Sequence, residues 1–89
     1  MNKENCKVLY CDGLGTITTK TVRVLGMKVK ASADTWIIEI NNTAGDKVLY
    51  DGSTIANDRS GLSVCGGTEI IGLSCVTFTN ISYALIYIE

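Results

Sequence analysis

The amino-acid sequence predicts an all-β protein, folded as a single small antiparallel β-sandwich of about eight short strands. No window of ten or more residues carries the apolar i, i+3, i+4, i+7 spacing of a helix. β-Branched residues are frequent instead, and turn-forming pairs recur every several residues. The 89 residues fit one domain, with no proline- or serine-rich linker. We expect a flexible N-terminal arm at residues 1–5 and one sandwich domain at residues 6–89.

The first predicted strand is residues 7–11, in which apolar and polar positions mix over five residues. The Asp-Gly-Leu-Gly run at residues 12–15 is typical of a hairpin turn. Strands at residues 16–20 and 21–31 follow, the first rich in threonine and the second in valine.

The third predicted strand changes register midway. Val22 and Val24 share one face, whereas Met27 and Val29 have the opposite parity. An extra residue at Leu25-Gly26, a β-bulge, brings both pairs to the core side. The outer face then carries three cations: Arg23, Lys28 and Lys30.

The middle of the chain predicts a hairpin. A turn at residues 32–34 leads into a strand at residues 35–41, whose core face is Trp36 and every second residue after it. The Asn-Thr-Ala-Gly run at residues 42–45 is a turn signal, and residues 47–50 form a short strand. A large aromatic residue that alternates in this way is typical of a core.

A polar loop is expected at residues 53–60, followed by strands at 61–65, 69–71 and 72–79. Asn80 marks the turn into the last strand. Strands at this spacing fit a sandwich, jelly-roll-like or immunoglobulin-like, or a small barrel, and their order stays open.

The final strand, residues 81–88, is apolar on both faces. One face carries Tyr83, Leu85 and Tyr87, and the other carries Ala84, Ile86 and Ile88. A half-solvated antiparallel strand would show polar residues on its wet face. A domain of this size buries only about 60–65% of its unfolded surface, so one core hardly covers both faces. We therefore expect a partner, such as a second copy, on the second face.

Charge is polarised along the chain, although the net charge is −1. Residues 1–33 carry six cations against two acids, and residues 34–89 carry two cations against seven acids. Two interpretations stay open. The charges are ordinary solvated side chains, or they make complementary contacts between neighbouring copies.

The four cysteines match no common zinc spacing, and the chain contains no histidine. Cys6 and Cys11 are five positions apart, so on one strand they face opposite sides. Without an export signal, the expectation is buried, reduced thiols and no metal or cofactor. The lack of histidine also removes Ser-His-Asp and Cys-His catalysis, and we expect no enzymatic activity.

Membrane, nucleic-acid and small-molecule binding are not expected either. The longest apolar runs fall short of the ~18 residues that a membrane helix needs. No apolar segment of a secretory signal follows the N-terminal lysine. The Arg23, Lys28 and Lys30 row lacks stacking aromatics on its own strand. It would nevertheless give strongly salt-dependent binding if a single-stranded nucleic acid used it.

The layout of strands and turns resembles small virion proteins of tailed bacteriophages. The stretches that carry the likeness are residues 8–10 with Gly13 and Gly15, residues 22–31 leading into Trp-Ile-Ile-Glu-Ile-Asn-Asn at 36–42, and residues 45–50 with the closing residues 83–88. The resemblance is one of pattern over most of the chain rather than a short signature.

This resemblance implies a structural protein of the virion, a capsid cement or decoration protein with a β-sandwich fold and no active site. Its partners would be copies of itself and the major capsid protein or other virion subunits, bound through many weak contacts. The candidate assembly interface is Tyr83, Leu85, Tyr87, Arg23, Lys28 and Lys30. The alternatives are a phage collar or tail component and a carbohydrate-binding module that uses exposed tyrosines.

Overall fold

The computed structural model describes the backbone of residues 3–4, 8–53 and 60–89 and the side chains of residues 8–53 and 69–89. Its regular structure consists of β-strands. The strands are β1 (Lys3–Glu4), β2 (Val8–Cys11), β3 (Gly15–Ala31), β4 (Trp36–Asn41), β5 (Lys47–Ser53), β6 (Ser60–Thr79) and β7 (Ile81–Ile88).

These strands form one antiparallel sheet in the order β1-β2-β7-β3-β6-β4-β5, curled into a half-barrel. The all-β, antiparallel prediction is therefore confirmed. The eight short strands of a sandwich are not what the described residues form, because two strands run much longer than expected. Of the loop expected at residues 53–60, Ser53 ends β5, Ser60 begins β6, and residues 54–59 lie outside the described residues. Within the expected N-terminal arm, Lys3 and Glu4 pair with β2.

The long strands β3 and β6 span 17 and 20 residues and pair with each other along most of their length. The sequence divides each of them into two or more predicted strands, and those divisions are wrong. The breaks between the predicted strands lie at register shifts of the β3–β6 ladder, between Thr18 and Thr21 and between Val24 and Gly26, where the chain stays in the sheet. Gly72, for example, has a φ of 77° within β6.

Because β3 and β6 bend, the molecule has two regions. The β7 region contains β1, β2, β7 and residues 26–31 of β3. The β4 region contains β4, β5 and the opposite ends of β3 and β6. Their concave faces meet in one apolar core, in which Met27, Ile38 and Ile86 are fully buried. Burial of such side chains stabilises the fold by about 1.5–3 kcal/mol each.

Of the two turns predicted to join hairpins, one does so and the other does not. The hairpin expected at residues 12–15 is wrong, because in the described strands β2 pairs with β1 and β7 while β3 pairs with β6 and β7. The turn at residues 42–45 does join a hairpin, β4 with β5. There the Asn42 side chain accepts a hydrogen bond from the Asp46 N–H at 2.9 Å, and Gly45 has a φ of 90°.

The predicted bulge at Leu25-Gly26 is confirmed. The register of β3 with β7 shifts between Val24 and Gly26, so one extra residue enters β3 at this point. Val24, Met27 and Val29 are all fully buried as a result. Arg23, Lys28 and Lys30 are exposed, which leaves the outer surface of β3 basic.

Candidate functional site

The candidate site is the outer face of the β7 region. Tyr83, Leu85 and Tyr87 lie along β7, and the neighbouring β2 adds Val8 opposite Tyr87 and Tyr10 opposite Leu85. We call these five residues the outer stripe. They alternate with the core residues of their strands, because successive side chains of a strand point to opposite faces.

The two faces of β7 are buried to different degrees. Ala84 and Ile86 have no exposed surface and belong to the core. Tyr83, Leu85 and Tyr87 are half-buried, covered in part by their neighbours on the same face. The structure thus supports the expected division of β7 into a core face and a second apolar face that a single chain leaves partly open to water.

Two tyrosines of the outer stripe stack on each other. The Tyr10 and Tyr83 rings have centroids 5.8 Å apart and planes inclined by 23°. Such offset stacking contributes about 0.5–1.5 kcal/mol beyond the area that it buries. The stack joins the two side chains across the β2–β7 pair.

Lysines border the outer stripe on the other side. Lys28 lies opposite Leu85 and Lys30 lies opposite Tyr83, in the ladder between β3 and β7. Strand pairing therefore brings together five of the six predicted interface residues: Tyr83, Leu85, Tyr87, Lys28 and Lys30. The result is an apolar stripe with a basic edge.

Arg23, the sixth predicted interface residue, lies apart from the two lysines. It stands at the far end of the β3–β7 pair, where its Nε is 3.1 Å from the Glu89 Oε1. Glu69 is its neighbour across the β3–β6 ladder. The acids next to Arg23 partly offset its charge, and the interface proposed below rests on the other five residues.

The tyrosines and Trp36 do not form one sugar-stacking platform. Trp36 is only 3% exposed, which confirms that it belongs to the core. Tyr50 lies on β5 in the β4 region, with the Lys47 ammonium 4.7 Å from its ring centroid. It lines a groove of about 370 Å³ together with Thr35, Ser53 and Asn80, away from the outer stripe.

A second apolar surface was missed in the sequence. Ile71 is 63% exposed and lines a groove of about 590 Å³ with the 42–44 turn and Val48. Adjacent isoleucines gave a signal for it, because Ile70 and Ile71 cannot both face the core of one strand. Leu25 and Val76 are also exposed, each at a register shift of the sheet.

Two cysteines lie in the same core. Cys11 and Cys75 are buried, free thiols, as expected from the sequence. Cys11 Sγ donates to the Gly13 carbonyl at 3.3 Å, and Cys75 Sγ donates to the Thr77 carbonyl at 3.4 Å. The neighbouring Cys11 thiol and burial raise the pKa of Cys75. Cys6 and the side chain of Cys65 lie outside the described residues.

Among the described side chains, no three His, Cys, Asp or Glu residues are close enough together to hold a metal ion. The described part of the chain also contains no helix long and apolar enough to cross a membrane. Comparisons of the chain with models of protein families, with curated proteins and with solved structures found no match.

Proposed function

We propose that the chain is a structural assembly protein whose copies associate through the outer stripe, and that it serves as a cement or decoration protein of a phage particle. The observation that carries the proposal is the apolar outer face of β7, bordered by Lys28 and Lys30. Interfaces are typically rich in tyrosine at their centre and charged at their rim. The phage setting rests on the resemblance of the strand and turn pattern.

A second copy of the chain is the occupant that the charges favour. The outer stripe has its basic edge on β3, and seven of the nine acids of the chain lie in residues 34–89. One copy therefore supplies the acids that the lysines of its neighbour need. A contact between two different surfaces of identical chains is heterologous, and such contacts close into rings when the rotation allows it.

Accessory proteins of a shell bind many weak sites at once. A ring presents the same surface several times, so that modest contacts with shell subunits add up through effective concentration. Because Tyr10 and Tyr83 already contact each other within one chain, less side-chain entropy would be lost when the stripe binds a neighbour.

The test is the absolute mass of the chain by light scattering, across protein concentration and under reducing conditions. We expect a discrete oligomer, with Leu85→Asp and Tyr87→Asp weakening self-association by about 100-fold or more, because a carboxylate would be desolvated in the interface. Leu14→Asp is the matched control, since Leu14 is 61% exposed between β2 and β3, outside the outer stripe and outside the acid-rich residues 34–89. It should assemble as the wild type does.

Circular dichroism should show that all three variants stay folded. A wild-type chain that is monomeric at every concentration would contradict self-association, and so would Leu85→Asp chains that assemble normally. The phage setting has its own test, which is the amount of each variant in purified particles. Incorporation of Tyr87→Asp at wild-type stoichiometry would overturn the assembly role of the stripe.

Single-stranded nucleic acid is the second candidate ligand, because pairing with β7 places tyrosines beside Lys28 and Lys30. The sequence of β3 alone did not show this combination. Bases need an accessible ring face on which to stack, and Tyr10 and Tyr83 stack on each other instead. Titration with a fluorescent oligonucleotide at low and high salt distinguishes nucleic-acid binding from self-association. Salt-sensitive binding that is lost in Lys28→Glu/Lys30→Glu would favour nucleic acid.

A further inference from the structure

An apolar groove in the β4 region lies between residues 69–71 of β6, the turn at residues 42–44 and Val48 of β5. We call it the Ile71 groove. Its volume is about 590 Å³, within the range of about 300–1,000 Å³ that is typical of binding sites. No large hydrophobic side chain among the described residues is more exposed than Ile71, at 63%. Covering this side chain would be favourable, so the groove suits an apolar occupant.

One wall of the Ile71 groove is bonded to β6 within the chain. The Thr43 N–H donates to the Ile71 carbonyl at 2.8 Å, and the Asn42 N–H donates to the Asp46 carbonyl at 2.9 Å. Gly72 lets the turn approach β6 closely, because a Cβ at this position would collide with the Thr43 hydroxyl. Both of these backbone N–H groups are used inside the chain, so the groove offers an occupant mainly apolar surface.

Acidic side chains lie at the rim of the Ile71 groove. Glu69 lines it, and Asp46 follows the turn that forms one wall. Both residues are exposed. Arg23, which lies opposite Glu69 in the β3–β6 ladder, is also bonded to Glu89, so this one cation stands against two acids. An apolar centre with an acidic rim complements the outer stripe, which has a basic edge.

The basic edge and the Ile71 groove of one chain are too far apart to meet. Glu69 lies opposite Arg23 of β3, whereas Lys30 is seven residues further along the same strand. Seven residues of an extended strand span about 23 Å. The complementary surface for the groove therefore comes from another molecule.

We propose that the Ile71 groove receives the outer stripe of a second copy, so that assembly joins two different surfaces of identical chains head to tail. This inference rests on the proposed assembly role and names the surface that the stripe contacts. The apolar side chains of the stripe pack against Ile71, and its basic edge faces Glu69. Every copy then uses its stripe on one neighbour and its groove on another, and the contacts close into a ring where the rotation allows it.

The first experiment compares variants of the full chain by light scattering under reducing conditions. Ile71→Asp should weaken self-association by about 100-fold or more, as Leu85→Asp does, because each variant places a carboxylate in the same contact. Leu14→Asp is the control, since Leu14 is exposed to a similar degree, and it should assemble as the wild type does. Circular dichroism and thermal melting should show that each variant is folded.

Mixing the two defective variants tests the head-to-tail arrangement directly. A Leu85→Asp chain keeps an intact groove, and an Ile71→Asp chain keeps an intact stripe. An equimolar mixture should form a dimer with one chain of each kind and nothing larger, although each variant alone stays monomeric. Native mass spectrometry with one chain isotopically labelled identifies this dimer. Its absence at about 100-fold the concentration at which the wild type assembles would overturn the proposal.

A charge exchange tests the rim of the contact. Glu69→Lys and Lys28→Glu/Lys30→Glu should each weaken self-association by about 2–5-fold, because exposed ion pairs contribute little. A chain that carries all three changes should recover part of the loss, since its stripe edge is then acidic and its groove rim more basic. Association no stronger than that of Lys28→Glu/Lys30→Glu would contradict the pairing of Glu69 with the lysines.

The results separate this inference from the proposed function. A wild-type chain that stays monomeric contradicts both. Dissociation of Leu85→Asp with normal assembly of Ile71→Asp keeps the assembly role of the stripe and overturns its docking in the groove. The stripe would then contact a second stripe, and the groove would be left for a small apolar ligand or a different protein. Dissociation of Ile71→Asp with normal assembly of Leu85→Asp overturns the role of the stripe and its docking together.

Discussion

Strands β4 and β7 are built alike on the inside and differently on the outside. Each pairs with a strand on both sides, and each buries its inner residues completely, Ile38 in β4 and Ile86 in β7. The outer residues of both strands are half-buried. The outer faces of β4 and β7 are therefore similarly exposed, and they differ in the chemistry of their side chains.

The outer face of β4 carries the polar side chains of Glu39 and Asn41 beside Ile37. Glu39 lies 3.9 Å from the Lys47 ammonium, and the Asn41 amide donates to the Gly45 carbonyl at 3.2 Å. The outer face of β7 carries two tyrosines and a leucine instead. A strand that is apolar on both faces contributes to a core on one side and to an interface on the other, and this is why the proposed assembly site lies on β7.

The largest losses of stability should come from substitutions on the inner faces, where we expect β4 and β7 to respond alike. Ile38→Ala and Ile86→Ala each leave a cavity in the same core, and each should lower the free energy of unfolding by about 2–5 kcal/mol. Urea unfolding at low protein concentration measures both. A loss below about 1 kcal/mol for Ile86→Ala alone would contradict the complete burial of Ile86 in the shared core.

A smaller effect is expected at Asn80, which links the two strands. Its φ is 57°, its side-chain amide donates to the Thr35 carbonyl just before β4, and β7 begins at the next residue. Asn80→Ala should cost about 1–3 kcal/mol, because it removes the hydrogen bond and strains the left-handed backbone.

Asn80→Gly separates these two causes, since glycine accepts a positive φ but still lacks the amide. It should destabilise the fold less than Asn80→Ala does in thermal or urea unfolding. Equal losses for the two variants would mean that the hydrogen bond to Thr35 accounts for the whole effect.

The smallest effect should be on the outer face of β4. Glu39→Gln removes one partner of a long, partly exposed ion pair with Lys47, so the free energy of unfolding should change by less than about 0.5 kcal/mol. Self-association should stay at the wild-type level. A mass change by light scattering in this variant would show that β4, rather than β7 alone, contributes to the interface.

The sequence predicts the faces of individual strands well, because a period of two is a local property. The bulge at Leu25-Gly26, the core position of Trp36 and the turn at residues 42–45 were all predicted from neighbouring residues. The pairing of β2 with β7 was not predictable, since it joins residues far apart in the chain. Turn-like residues 12–15 indicated a bend but gave no information about the partner strand.

The candidate site was likewise predictable where the signal was local and not where it depended on strand pairing. Alternation along one strand indicated Tyr83, Leu85 and Tyr87, and parity across the bulge indicated Lys28 and Lys30. That these two groups are neighbours depends on the β3–β7 ladder, and so does the separation of Arg23, which pairs with Glu89. That Cys11 and Cys75 belong to one core depends on the curl of the whole sheet, for which the sequence carries no local signal.

The single extra residue at Leu25 gives this chain an unusual sensitivity to small insertions and deletions. Without it, every position between the bulge and Ala31 would exchange faces, so that Lys28 and Lys30 would enter the core while Met27 and Val29 would turn outward. The deletion of one codon, which a loop tolerates, would disrupt the core at this position. Length variation among natural versions of this protein should therefore avoid β3 and accumulate in its loops.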